Sequence, residues 1–166
     1  MLSIFGSDII GSGQIGQSII AHEVAHQWYG DSVGLTRWQD VWLNEGFATY
    51  GEWVWRAHVG PETVAEIARQ SAKPDPALDK LPTDSGAANP FTPSTYQRGA
   101  LTLQALRETV GDDDFKAILS EWAKQYRFAT ATTGDFIALS EAVSGEQLDD
   151  LFGGWLYKKG LPDLPT

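Results

Sequence analysis

Cysteine is absent from this 166-residue sequence, which removes disulfide scaffolds, thiol catalysis and every Cys-ligated metal site from consideration. Any metal must then be held by histidine and carboxylate. Histidine is itself scarce, with three residues at positions 22, 26 and 58. Positive charge is also low: 12 Lys and Arg stand against 22 Asp and Glu, for a formal net charge of -10. Such a chain has no net attraction for phosphate backbones or anionic lipid surfaces, so neither nucleic acid nor membrane is expected as a partner. No run of about 18 apolar residues occurs, and the first twenty residues lack a basic n-region and an unbroken apolar stretch. Neither a membrane span nor a signal peptide is therefore expected, and the cytoplasm is the expected compartment if Met1 is the native start. Strand-like alternation is rare, and there is no internal repeat and no linker.

What is present is an ordinary globular composition, 42% hydrophobic and 11% aromatic with 20% charged residues. The length suits one unit spanning 1–166. Residues 17–29 run without Pro or Gly and stop at Gly30, predicting a helix with Ser18 near its N-cap. Further helices are expected at 41–58, at 62–72 with Pro61 in the first turn, and at 95–110, where Gly111 stops the chain. Others follow at 112–126, whose three leading Asp suit a helix start, at 133–143 and at 146–157. Residues 73–94 hold five prolines and read as a long loop. The expected class is mainly α.

The first helix contains His22-Glu23-Val24-Ala25-His26, an H-E-x-x-H pattern. Spacing of i and i+4 puts both imidazoles on one helix face with Cβ atoms about 6 Å apart, within reach of one ion. Catalytic zinc usually takes three protein ligands and keeps a fourth position for water. Glu23 stands where a carboxylate can take a proton from that water and pass it to a leaving amine. Glu45, separated from His26 by 18 intervening residues, is the expected third ligand, since the gap lets the first helix end and a second return beside it. Glu52 lies two turns further along the same face and is expected to accept the free N–H of a ligating histidine, with Asp40 as a second such candidate.

These residues resemble the zinc core of the aminopeptidase N family, the gluzincin aminopeptidases. Members share the H-E-x-x-H, the 18-residue gap and a block like Asn44-Glu45-Gly46-Phe47. Thr95-Tyr96-Gln97-Arg98-Gly99-Ala100 is similar to the segment that carries their catalytic tyrosine, which implies that Tyr96 donates its hydroxyl to the oxyanion. The tail from Trp155 to Pro162 also resembles the end of their catalytic domain. The fold so implied is the helical half of a thermolysin-like (gluzincin) metallopeptidase catalytic domain. One Zn2+ is the implied cofactor, and peptides with a free N-terminus are the implied substrates.

The sequence departs from the family in one respect: it contains no G-x-M-E-N type motif, whose Glu binds the substrate's free α-amino group in relatives. Their sequence just beyond that motif is similar to Leu2-Ser3-Ile4-Phe5, so the chain is expected to begin after it, without the N-terminal β domain or most of the sheet half. An apolar face would then need covering, by a second copy of the chain or by a separate N-terminal portion. A zinc-binding helical domain with a structural or partner-dependent role and no peptidase activity of its own is the alternative function.

Other patterns have plainer readings. Gly11-Ser12-Gly13-Gln14-Ile15-Gly16 matches G-x-G-x-x-G, yet no βαβ pattern follows it, and the glycines read as an approach to the helix. His58 reads as a surface or cap residue, and 112–114 as helix-start charges without an EF-hand loop around them. Arg98 is expected to be structural, pairing a carboxylate or covering a loop. Trp28, Trp42, Trp53 and Trp55 are expected in the core or on a surface that packs against a missing half.

Overall fold

The structure, a computed structural model, describes residues 13–84 and 89–165. It is mainly α, as expected. Helix α1 spans Gln14–His26, β1 Val33–Leu35, α2 Trp42–Val59, α3 Val64–Ser71, α4 Gly99–Val110 and α5 Asp112–Gln125; β2 Ala129–Ala131, α6 Thr133–Ser144 and α7 Asp149–Phe152 complete the order. Short 3-10 turns at Trp38–Asp40 and Pro76–Asp79 and π-turns at Ser94–Arg98 and Gly153–Tyr157 join these elements.

Helix α2 is the centre of the packing. From Trp42 to Tyr50 it buries nearly every residue, and α1, α3, α4 and the π-turn at Ser94–Arg98 pack around it. Phe136 from α6 stands edge-on to Trp42, Phe47 and Trp122 at centroid distances of 6.0, 5.2 and 5.1 Å, the T-shaped arrangement that aromatic quadrupoles favour. Trp42 and Trp53 are in the core, whereas Trp28 and Trp55 are exposed.

Several boundaries differ from the sequence reading. Helix α1 begins at Gln14 because Gly13, at φ +63°, breaks the chain there, so Ser18 is inside the helix and caps nothing. Its other end is His26, and Gly30, at φ +143°, belongs to the following turn, where its N–H donates to the Val33 carbonyl. Helix α3 starts later than expected because Thr63, not Pro61, forms its start: the Thr63 side chain and Glu66 make a reciprocal capping box. The helix expected over 146–157 is only the short α7 and its π-turn; Gly145 in the left-handed region ends α6, and the Glu141 carboxylate takes the Leu148 N–H at 2.9 Å. The G-x-G-x-x-G reading and the apolar start fall partly or wholly on 1–12, outside the described residues.

Strands β1 and β2 pair in parallel, with Val33 opposite Ala129 and Leu35 opposite Ala131. The sequence reading did not contain this ladder. Three-residue strands are too short to show alternation.

Candidate metal centre

Helix α1 presents His22 and His26 from one face, and α2 returns beside it with Glu45 in its first turn. The rings of His22 and His26 stand edge to face, their centroids 4.7 Å apart. His22 donates from Nδ1 to Glu52 Oε1 at 2.6 Å, and His26 donates from Nδ1 to the Tyr29 carbonyl at 3.0 Å. Both rings thus have Nδ1 committed and turn Nε2 inward. The two Nε2 atoms converge on one oxygen, Glu45 Oε2, at 3.3 and 3.4 Å.

One ligand atom from each of these three residues lies within 4.8 Å of the other two. A tetrahedral zinc with bonds near 2.0–2.1 Å would set ligand atoms about 3.3 Å apart, which the two His–Glu separations already match. Two imidazoles and a carboxylate are also a donor set that zinc accepts in hydrolases. The residues fit the ion. Among the described residues no other group of three or more His, Asp or Glu converges in this way.

Burial of the His22 ring works against its charged form, but hydrogen bonds to Glu45 and Glu52 outweigh it and raise the pKa to about 9. His26 is also raised: burial is again opposed and outweighed, by Glu45 and the Tyr29 carbonyl. Burial pushes Glu45 up, yet hydrogen bonds from both imidazoles hold it down at about 2. The three side chains therefore stabilise one another's charged forms, one carboxylate serving two rings.

Tyr96 lies on the π-turn before α4 and stacks on His22 with centroids 5.9 Å apart and planes 19° from parallel. Its hydroxyl is pushed up to about 12, first by burial and then by the Glu45 charge, a hydrogen bond to Glu45 and the charge of Glu23. A hydroxyl raised in this way keeps its proton at neutral pH. Glu23 is half-buried and makes no hydrogen bond or ion pair with any described residue.

The sequence-predicted residues therefore divide. His22, His26, Glu45, Glu52 and Tyr96 come together, and Glu23 is near enough for its charge to act on Tyr96. Asp40 is elsewhere in the bonding network: its Oδ1 accepts from the Thr133 N–H and hydroxyl at 2.9 and 2.7 Å, and its Oδ2 faces Arg37 at 3.3 Å. Both histidine Nδ1 atoms are already engaged by other acceptors, which leaves Asp40 none to orient. Arg98 is fully buried and donates to the carbonyls of Leu78, Gly154, Trp155 and Lys158, so backbone acceptors rather than a carboxylate among the described residues hold it. His58 is exposed and leans on Trp55, and Asp112 pairs with Arg107 at 2.7 Å. The Tyr29 carbonyl is the partner that sequence reasoning missed. A backbone acceptor has no residue signature, but Gly30 hinted at it: a Cβ there would come within 3.2 Å of His26 Nδ1.

The peptidase family M1 domain matches residues 10–155. A probable aminopeptidase 2 from Sulfurisphaera tokodaii is 32% identical over 157 residues, covering 87% of this chain and 20% of that protein. Among solved structures, a mutant of the M1 zinc metallopeptidase from Deinococcus radiodurans, bound to a Tyr-Ser-Ala substrate, superposes with a TM-score of 0.81 at 34% identity. It covers 90% of this chain and 35% of that one. Yeast LTA4 hydrolase shares the fold, with a TM-score of 0.72 at 24% identity. The chain thus spans about a fifth of the length of the curated relatives it matches. Its helices correspond to the helical part of the catalytic domain of these enzymes, and the chain belongs to peptidase family M1.

Proposed function

We propose that this chain carries the zinc centre of an aminopeptidase, with His22, His26 and Glu45 as ligands and peptides with a free N-terminus as substrates. The observation that carries the reading is the convergence of both Nε2 atoms on Glu45 Oε2, each ring fixed from behind by its own acceptor. When bound, zinc supplies Lewis acidity that activates water near neutral pH and polarises the scissile carbonyl.

The chain's own residues supply the rest. Glu23, on the same helix as both histidines and with no competing partner among the described residues, accepts the proton of the attacking water and returns it to the leaving amine. Tyr96, kept protonated beside Glu45, donates its O–H to the oxyanion of the tetrahedral intermediate. Glu52 holds the His22 ring in the tautomer that leaves Nε2 free for the ion. The Tyr-Ser-Ala substrate of the Deinococcus structural relative agrees with a peptide as the chemical class.

A second reading has its own observation. The convergence of three ligands requires only that an ion be held, so a zinc-binding domain that hydrolyses nothing by itself also fits. Zinc content does not separate the two, but hydrolysis does. The zinc-loaded chain is expected to cleave aminoacyl amides or short peptides at a rate at least about 100-fold above its Glu23→Ala variant, the contribution of a general base. Equal rates with equal zinc content would establish the second reading.

A further inference from the structure

Helix α2 and the Tyr96 segment meet at two glycines. A Cβ added to Gly46 would lie 2.8 Å from both the Cα and the carbonyl carbon of Gly99, and one added to Gly99 would lie 3.0 Å from the Gly46 Cα. Gly99 has ordinary right-handed helical angles, φ -58° and ψ -48°, and Gly46 lies inside α2. Neither is required by the backbone conformation, and glycine is unfavourable inside helices. Space is what they provide: two backbones touch where any other residue would hold them apart.

What flanks the contact is informative. Gly46 directly follows Glu45, the carboxylate shared by both imidazoles, and Gly99 closes the π-turn that carries Tyr96. We propose that the Gly46–Gly99 crossing is a positioning device for the metal centre, setting Glu45 against the two histidines and Tyr96 against Glu45 in one step. This inference rests on the reading of His22, His26 and Glu45 as zinc ligands.

The distances make the crossing sensitive. Ordinary contact for an added Cβ begins at 3.4 Å, so one methyl group must part the backbones by about 0.6 Å when placed on Gly46 and about 0.4 Å when placed on Gly99. Metal–ligand distances tolerate only about 0.2 Å. The local packing offers little relief, because Trp42 Cβ would lie 3.5 Å from a Cβ on Gly99 and Ala100 N would lie 3.2 Å from one on Gly46.

The test uses Co2+ as a spectroscopic probe and zinc competition as the affinity measurement. Gly99→Ala, which changes no ligand, is expected to shift the Co2+ absorption bands, weaken zinc about tenfold or more, and move the Tyr96 ring resonances. Gly46→Ala is expected to act in the same direction. Leu106→Ala, buried in the same helix α4 as Gly99, serves as the stability control and is expected to lower the melting temperature with the Co2+ spectrum unchanged. A folded Gly99→Ala chain with the wild-type spectrum and zinc affinity would overturn the proposal. So would a Gly99→Ala chain that stays unfolded with Co2+ at saturation, since the crossing would then act on stability alone. If Glu45→Gln leaves the wild-type Co2+ spectrum intact, the ligand assignment fails and this inference fails with it; a Glu45→Gln shift without a Gly99→Ala shift removes the inference only.

Discussion

The two imidazoles of the centre are held in different ways, and the difference has consequences. His22 depends on a side chain, the Glu52 carboxylate 2.6 Å from Nδ1, while His26 depends on the Tyr29 carbonyl. Only the first support can be deleted by substitution. Glu52→Ala is expected to weaken zinc by about 10–100-fold while the chain stays folded, as measured by competition against a chromophoric chelator. Unchanged affinity would show that the 2.6 Å contact orients nothing. Asp40→Ala is expected to do the opposite, leaving zinc affinity at the wild-type level and lowering the melting temperature. Its carboxylate links the 3-10 turn before α2 to the start of α6, where the Thr133 hydroxyl also accepts from the Trp42 indole at 2.9 Å. A fall in zinc affinity matching that of Glu52→Ala would place Asp40 back at the centre.

At the scale of elements, much depends on how ends are tied. Arg98 is fully buried and fastens the π-turn of Tyr96 to the C-terminal π-turn through the carbonyls of Gly154, Trp155 and Lys158. Arg98→Met would leave these acceptors unsatisfied, and hydrogen bonds from a charged donor contribute about 1.5–3 kcal/mol each. A loss of about 3 kcal/mol or more is expected in urea unfolding, and a loss under about 1 kcal/mol would contradict this role. Thr132 caps α6 reciprocally with Asp135, and Thr132→Ala is expected to cost about 1 kcal/mol in the same measurement. Such ties explain what the sequence did and did not reveal. Helix periodicity and the i, i+4 and i+7 spacings of His22, His26, Glu45 and Glu52 are properties of residue type and separation, so they could be read directly. The start of α1 depends on a positive φ at Gly13, the support of His26 on a carbonyl, and the β1–β2 ladder on a pairing across 96 positions. None of these is written in local composition.

Across the whole molecule the centre joins two helices that also pack side by side. His22 and His26 come from α1 and Glu45 from α2, so an ion bound there favours the folded state over the unfolded chain. With free zinc at about 100 times its dissociation constant the added stability is about 2.7 kcal/mol. The melting temperature is expected to rise with zinc and fall again with chelator, whereas a His22→Ala chain should show no rise. The far side of α1 faces an open apolar groove of about 1100 Å³ lined by Val24, Trp28, Val54, Trp55 and Phe128. Trp28 and Trp55 thus lie on a surface, while Trp42 and Trp53 are in the core. Among the described residues the core around α2 is closed, while α1 packs against α2 on the side of its histidines and borders the groove on the other.

The most direct measurement of the central claim is zinc binding with ligand substitution, read by X-ray absorption on the loaded chain. The expected result is one zinc per chain with two imidazole nitrogens and carboxylate oxygen at about 2.0–2.2 Å, and loss of binding in His22→Ala, His26→Ala and Glu45→Ala. Zinc retained at wild-type affinity and with an unchanged spectrum in those three variants would contradict it.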